Sequence, residues 1–139
     1  AKKPHEIINI VGRGDWMSNN APHAFFQVDF RHYLFYPNYY SLSLYSLKPD
    51  NRMKAWVMEG SLDGANWFCL DEQRLSKKFD GSVISCRMFS DCPIRFVRLS
   101  IIGQNISGNN ILMLHQIEFF GSLIYDPNAP IRLKSAGFI

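Results

Sequence analysis

The sequence predicts an all-β domain from three observations. Hydrophobic residues make up 47% of the 139 residues and charged residues 19%, a balance typical of a folded globular chain. Apolar and polar residues alternate along much of the chain, as in strands with one buried face. No long stretch follows the 3.6-residue period of an amphipathic helix, and one or two short helical turns are expected, with 71–75 as the candidate position. We therefore expect a sandwich or a barrel of short strands.

Seven runs of residues define the predicted strands. They cover residues 26–30, 40–47, 55–60, 67–70, 82–88, 96–102 and 115–120. Turn-forming residues separate them, among which Asp63-Gly64 is a strong signal because glycine accepts a positive φ. Pro37-Asn38 is a second predicted turn. We expect Trp56 and Trp67, which flank the Asp63-Gly64 turn, to close one end of the core.

The chain length fits a single domain, since domains commonly hold about 100–150 residues. The alternation ends shortly after Gly121, and the following residues contain Pro127 and Pro130. We predict a β-sandwich domain over residues 1–122 and an extended tail over residues 123–139. The tail is expected to pack on the domain or to lead to a neighbouring one.

The charge distribution argues against a nucleic-acid partner, and the length of the apolar runs argues against a membrane partner. Lys and Arg number 15 and Asp and Glu 12, and the densest basic run is only Lys77-Lys78. A nucleic-acid-binding domain concentrates its basic residues in a patch, so no nucleic-acid partner is expected. No apolar run approaches the roughly 20 residues that cross a bilayer, and a membrane partner is not expected.

No group of residues indicates catalysis, a cofactor or a metal. The four histidines are dispersed, and no HExxH or GxSxG pattern occurs. Cys69, Cys86 and Cys92 lack the spacing of a zinc site or a CxxC redox pair. We expect Cys69 to pack in the core and all three thiols to be reduced, with a Cys86–Cys92 bridge as the alternative. The prediction is therefore a chain without enzymatic activity.

The stretch Trp56–Trp67 resembles the discoidin domain, the C-type module of coagulation factors V and VIII. In that family a strand that ends in serine precedes an Asp-Gly turn and a tryptophan, as Ser61, Asp63-Gly64 and Trp67 do here. The early family strand is similar to Phe25–Phe30, and the closing strands are similar to Ile94–Leu99 and Ile117–Gly121. The resemblance covers about Ile7 to Gly121. It implies a galactose-binding-like antiparallel β-sandwich, or jelly roll.

The cysteine positions point to one branch of that family. Secreted members usually tie the two ends of the domain with a disulfide, whereas this sequence has no cysteine near Ile7 or just after Gly121. The resemblance is nearest to intracellular members, which occur with BTB domains and in ubiquitin-ligase components. It implies a cytoplasmic location, as part of a larger regulatory or ubiquitin-ligase-type protein.

The resemblance also implies that ligands bind at one end of the sandwich. Three loops correspond by order to the family's binding loops: the first loop (12–23), the second loop (47–54) and the third loop (103–110). Their candidate ligand-binding residues are Arg13, Asp15, Trp16, Asn19, Asn20, Lys48, Asp50, Arg52, Asn105 and Asn109. These side chains offer cationic donors, carboxylate acceptors and amides, which suit a polar ligand.

Each candidate also has a purely structural interpretation. Trp16 can plug the end of the sandwich, and Asp50 can shape a turn. Asn105 and Asn109 can bond backbone groups within their own loop. Arg52 is the best functional candidate, because a polar turn does not itself need an arginine.

Together these features predict a non-catalytic binding module that recognises a protein or peptide partner through its loops. One alternative is a carbohydrate-binding domain, in which Trp16 could stack on a sugar face. The other is a structural assembly domain whose sheet faces bury against other subunits. The isolated domain is expected to be a monomer.

Overall fold

A computed structural model describes residues 6–9, 16–43, 52–75 and 83–127 of the chain. Within these residues every regular element is a strand, which confirms the all-β prediction. The strands are β1 (Glu6–Asn9), β2 (Trp16–Met17), β3 (Phe25–Asp29), β4 (Tyr33–Ser43), β5 (Ala55–Ser61), β6 (Phe68–Arg74), β7 (Val83–Arg87), β8 (Phe96–Ile101), β9 (Met113–Leu114) and β10 (Gln116–Tyr125).

Two four-stranded sheets form the sandwich, and every strand pair is antiparallel. The first sheet has the order β1-β10-β4-β7, and the second sheet has the order β3-β8-β5-β6. A short ribbon pairs β2 with β9. This arrangement confirms the antiparallel sandwich that the alternation and the resemblance predicted.

The core lies between the two sheets, because alternate side chains of both point inward. The first sheet contributes large buried side chains from β4 and β10, and the second contributes them from β3, β5 and β8. These include Phe26, Phe35, Tyr40, Leu42, Trp56, Met58, Leu99 and Phe119. Burial of each such side chain stabilises the fold by about 1.5–3 kcal/mol, which makes the core the main source of stability.

The turn predicted at Pro37-Asn38 is wrong, because both residues lie within β4. Tyr39 pairs with Phe120 and Pro37 pairs with Gly121, so Asn38 is the extra residue of a β-bulge. On its other side β4 pairs with β7 only from Tyr39 onward, which leaves Pro37 with one neighbouring strand. A bulge at such a half-paired position is where a strand tolerates proline.

Two further predictions in the second half of the chain need correction. Asp71–Arg74 continues β6 and does not form a helical turn. Cys69 is exposed, because it points outward between the inward-facing Phe68 and Leu70. All three cysteines are free thiols, so the Cys86–Cys92 bridge is absent.

The boundary predicted between residues 122 and 123 falls inside β10, which extends to Tyr125. The next residue is also bound to the sandwich. The Asp126 N–H donates to the His32 carbonyl at 2.6 Å, and the Asp126 carboxylate lies 3.4 Å from the buried guanidinium of Arg95. Residues 128–139 of the predicted tail and residues 44–47 of the predicted strand 40–47 lie outside the described residues.

The Asp63-Gly64 turn is confirmed, and its bonds explain the residues of the motif. Asp63 Oδ1 accepts the N–H groups of Ala65 and Asn66, both at 2.8 Å. Gly64 has a φ of 80°, and its N–H donates to the Ser61 hydroxyl at 2.8 Å. The N–H donors, that of Asn66 above all, stabilise the carboxylate and hold the pKa of Asp63 well below its usual range.

The two tryptophans around this turn do not close one end of the core together. Trp56 is completely buried between the sheets. Trp67 is half-buried on the outer face of the second sheet, where its ring lies 6.3 Å from that of Phe96 and beneath the guanidinium of Arg98. A strand face that points away from the core can still bury an aromatic ring when a long side chain covers it.

Candidate functional site

The described ends of the three predicted binding loops lie at the same end of the sandwich. The Ile101 N–H donates to the Ala24 carbonyl at 3.0 Å, which places the end of the first loop beside the start of the third. The Ile102 N–H donates to the Ala55 carbonyl at 3.0 Å, which places the end of the second loop beside the same strand. The antiparallel order of β3, β8 and β5 produces this convergence.

The first loop is tied to the segment that follows the third loop. Ser18 and Leu112 exchange two bonds of 2.9 Å, from the Ser18 N–H to the Leu112 carbonyl and from the Leu112 N–H to the Ser18 hydroxyl. The Asn110 N–H donates to Asn20 Oδ1, also at 2.9 Å. The side chain of Asn20 is therefore used to link two loops. Such links fix the shape of a binding surface before a ligand arrives.

The third loop is organised around Asn105, whose side chain is completely buried. Its Oδ1 accepts from the Ser107 hydroxyl at 2.9 Å and from the Asn109 N–H at 3.1 Å, and its Nδ2 donates to Asn109 Oδ1 at 2.6 Å. Asn109 also accepts from the Ile111 N–H at 3.1 Å. Asn105 and Asn109 therefore shape the loop, and the polar groups of Asn105 face the loop itself.

The second loop contacts the third through Arg52. The Ile106 N–H donates to the Arg52 carbonyl at 3.2 Å, and the Arg52 side chain is half-buried. The backbone of Trp16 belongs to β2 and pairs with Leu114. Four other predicted site residues lie outside the described residues: Arg13, Asp15, Lys48 and Asp50.

An open cleft of about 440 Å³ lies along the first loop and is called the loop cleft below. It is lined by Ser18, Asn19, Ala21, Pro22, His23, Ala24 and Phe25. Of the predicted site residues that the structure describes, Asn19 lines this cleft. His23 was placed in the first loop but not among the site residues. It has a φ of 60°, a left-handed conformation that sequence reasoning does not reveal for a histidine.

The wall of the loop cleft continues onto the outer face of the second sheet. The Arg98 guanidinium carbon lies 5.6 Å from the centre of the Phe25 ring and 3.9 Å from the centre of the Trp67 ring. The same guanidinium forms an ion pair with Glu59, in which Arg98 Nη2 lies 3.0 Å from Glu59 Oε1. These contacts stabilise Phe25 at the rim of the cleft.

The described part of the chain contains no cluster of three or more His, Cys, Asp or Glu side chains that could hold a metal ion. In the same residues there is no helix whose length and apolar character would let it cross a membrane.

No protein-family model matches the chain, and no curated protein matches its sequence. Solved structures match its fold. The SusE-like protein BT2857 aligns with a TM-score of 0.64 and 16% identity over 79% of this chain, which spans 52% of that protein, about half its length. The F5/8 type C domain of a Bacteroides fragilis protein aligns with a TM-score of 0.58 and 12% identity, over 78% of this chain and 73% of that one.

A third structure aligns over nearly its whole length. The CBM32 of AlyQ, in complex with 4,5-unsaturated mannuronic acid, has a TM-score of 0.59 and 14% identity over 84% of this chain and 95% of that one. At these identities the likeness concerns the fold. The chain has the galactose-binding-like β-sandwich fold that discoidin-like F5/8 type C domains share with CBM32 domains.

Proposed function

We propose that this chain is a carbohydrate-binding module whose ligand occupies the loop cleft. The composition of the cleft carries the proposal: the polar residues Ser18, Asn19 and His23 line the same space as the aromatic residue Phe25. Sugars present hydroxyl groups, which both donate and accept hydrogen bonds, and an apolar face that packs on aromatic rings. The bonds between the loops hold these groups in place before binding.

The fold comparison supports a sugar more than a protein or peptide partner. One of the compared domains is bound to 4,5-unsaturated mannuronic acid. None of the compared structures adds support for the protein or peptide partner that the polar loops predicted. The cytoplasmic location, the ubiquitin-ligase context and the monomeric state stay predictions.

The side chains in the loop cleft favour binding over catalysis. Among the described residues that line it, His23 is the only one with an ionisable side chain. Hydrolysis of a glycosidic bond ordinarily uses a pair of carboxylates, and the described residues that line the cleft include neither Asp nor Glu. An imidazole can also bind and orient a ligand through its ring nitrogens.

A glycan array followed by calorimetric titration tests this proposal. We expect the chain to bind at least one class of glycan, and Asn19→Ala to weaken that binding about tenfold, as loss of one or two hydrogen bonds to the ligand does. Asp91→Asn is the matched control, because Asp91 is exposed in the loop after β7, at the opposite end of the sandwich. It should leave the affinity unchanged.

Two results would overturn the proposal. The first is an array on which the folded chain binds no glycan. The second is a bound glycan whose affinity falls equally with Asn19→Ala and Asp91→Asn, since the loop cleft would then not be the site.

A further inference from the structure

A second cleft, of about 460 Å³, opens on the outer face of the first sheet and is called the face cleft below. It is lined by Asn38, Tyr39, Arg87 and Phe120. It lies on β4, β7 and β10, whereas the loop cleft leads into β3 of the other sheet. Among the described residues, none lines both clefts.

The β-bulge in β4 builds the face cleft. Strict alternation would turn one of two consecutive side chains inward, but Asn38 and Tyr39 are both exposed because Asn38 is the extra residue. Tyr40 then resumes the alternation as a fully buried residue. The bulge also requires Gly121, since a Cβ there would overlap the Tyr36 carbonyl oxygen.

Two rings form the apolar side of the face cleft. Tyr39 is 38% exposed, and its ring lies edge-on to that of Phe120, with centres 6.1 Å apart and planes at 70°. Tyr39 also pairs with Arg87 across the β4–β7 ladder. The rings and the guanidinium therefore border one space.

Arg87 is the charged side chain among the described residues that line the face cleft. Arg87 is exposed, and within the part of the chain that the structure describes it forms no ion pair. The carboxylate of Glu118, two residues from Phe120 on β10, accepts a 2.7 Å bond from the Gln116 amide. Farther along the same face, the hydroxyls of Ser41 and Ser85 lie 3.2 Å apart.

We propose that the face cleft is a second saccharide site, which selects a sugar unit that carries a carboxylate. Arg87 would bind the carboxylate, since guanidinium–carboxylate bonds can be bidentate and are about twice as strong as neutral ones. Tyr39 and Phe120 would pack against the apolar side of the sugar, and the Asn38 amide would bond a ring hydroxyl. This site does not depend on the loop cleft, because its residues belong to other strands.

An NMR titration with acidic trisaccharides tests the proposal. The probes are the trimers of galacturonate, guluronate and mannuronate, each compared with its neutral methyl ester. We expect at least one acid to shift the backbone amides of Asn38, Tyr39, Arg87 and Phe120, and its ester to bind more weakly. Arg87→Gln should weaken that binding about tenfold or more, whereas Arg74→Gln, which removes an exposed arginine from the other sheet, should not.

The face-cleft assignment is overturned if no acid shifts these four amides, or if Arg87→Gln and Arg74→Gln weaken binding equally. Shifts confined to the first loop would overturn it as well, while they would leave the loop cleft as a sugar site. A third outcome is binding at the face cleft that persists in Asn19→Ala while no saccharide shifts the amides of the first loop. That outcome would overturn the loop cleft as the sugar site and support this second site.

Discussion

The indole Nε1 of Trp56 donates a hydrogen bond to the Tyr40 hydroxyl at 2.9 Å, and that hydroxyl donates to Asp71 Oδ2 at 2.7 Å. Tyr40 belongs to the first sheet, and the other two residues belong to the second. Burial, and secondly the bond to Asp71, raise the pKa of Tyr40 far above its usual value. The hydroxyl therefore stays protonated and continues to donate, so this chain of bonds joins the sheets across the core.

Tyr40→Phe is expected to lower the free energy of unfolding by about 1–3 kcal/mol, because it leaves the buried Trp56 N–H without its acceptor. Urea denaturation measures the change. Tyr39→Phe is the matched control, since it removes the same hydroxyl from an exposed ring and should cost about 0.5 kcal/mol or less. Equal losses in the two variants would show that the buried bonds contribute nothing beyond ring packing.

Asp63→Asn is expected to destabilise the chain in a pH-dependent way. The pKa of Asp63 is lowered in the folded state, so its carboxylate contributes stability that is fully present above the unfolded pKa of about 4. That contribution disappears as the pH falls through the folded pKa. The difference in unfolding free energy between the parent and Asp63→Asn should therefore be constant near neutral pH and shrink below about pH 4.

Urea midpoints measured across the acid range check this expectation. Asp91→Asn removes an equal charge outside the Asp63-Gly64 turn and serves as the reference. A difference between the parent and Asp63→Asn that grows as the pH falls would contradict the role of the Asp63 carboxylate as an acceptor in the turn.

The sequence predicted the parts of the fold that depend on local chemistry. Period-two alternation indicated all or part of the seven longer strands but not the short strands β1, β2 and β9. The Asp63-Gly64 pair indicated a turn, because glycine conformation and side-chain acceptors act over a few residues. Residues 33–39 of β4 were missed. Pro37 was interpreted as a turn residue. The β-bulge that accommodates it depends on Gly121, which pairs with Pro37 but is distant in the sequence.

The grouping of the three loops was predicted better than the residues that line the loop cleft. The described ends of these loops lie together because of the strand order β3-β8-β5, whereas the resemblance matched the loops only by their order along the chain. A side-chain amide such as that of Asn105 can form hydrogen bonds either with a ligand or with its own loop. The path of the backbone determines which bonds form, and the sequence does not reveal that path. The positive φ of His23, which lines the loop cleft, is likewise a property of the folded loop.

Arg98 and Trp67 should be energetically coupled, since the guanidinium carbon lies 3.9 Å from the centre of the indole ring. A double-mutant cycle with Arg98→Ala and Trp67→Ala, read by urea denaturation, is expected to give a coupling of about 0.5–2 kcal/mol. The ion pair with Glu59 is partly exposed and should contribute less. Additive effects of the two changes would mean that the ring and the guanidinium are neighbours without a stabilising contact.

A substitution of Asn105 can show whether this residue shapes the third loop or contacts the ligand directly. Asn105→Ala removes both acceptor and donor groups from a fully buried position, and we expect it to lower the free energy of unfolding by about 1–3 kcal/mol. Because Asn110 links this loop to Asn20, glycan affinity at the loop cleft should fall with it. Gln104→Ala changes an exposed neighbour and should alter neither quantity.

The measurements are urea denaturation, amide hydrogen exchange across 105–111 and glycan titration on both variants. A loop-shaping Asn105 predicts faster exchange and lower stability even when no glycan is present. If Asn105→Ala weakens the glycan while stability and exchange match those of Gln104→Ala, then Asn105 touches the ligand directly. The third loop would then open on binding, because the amide is enclosed in the free protein.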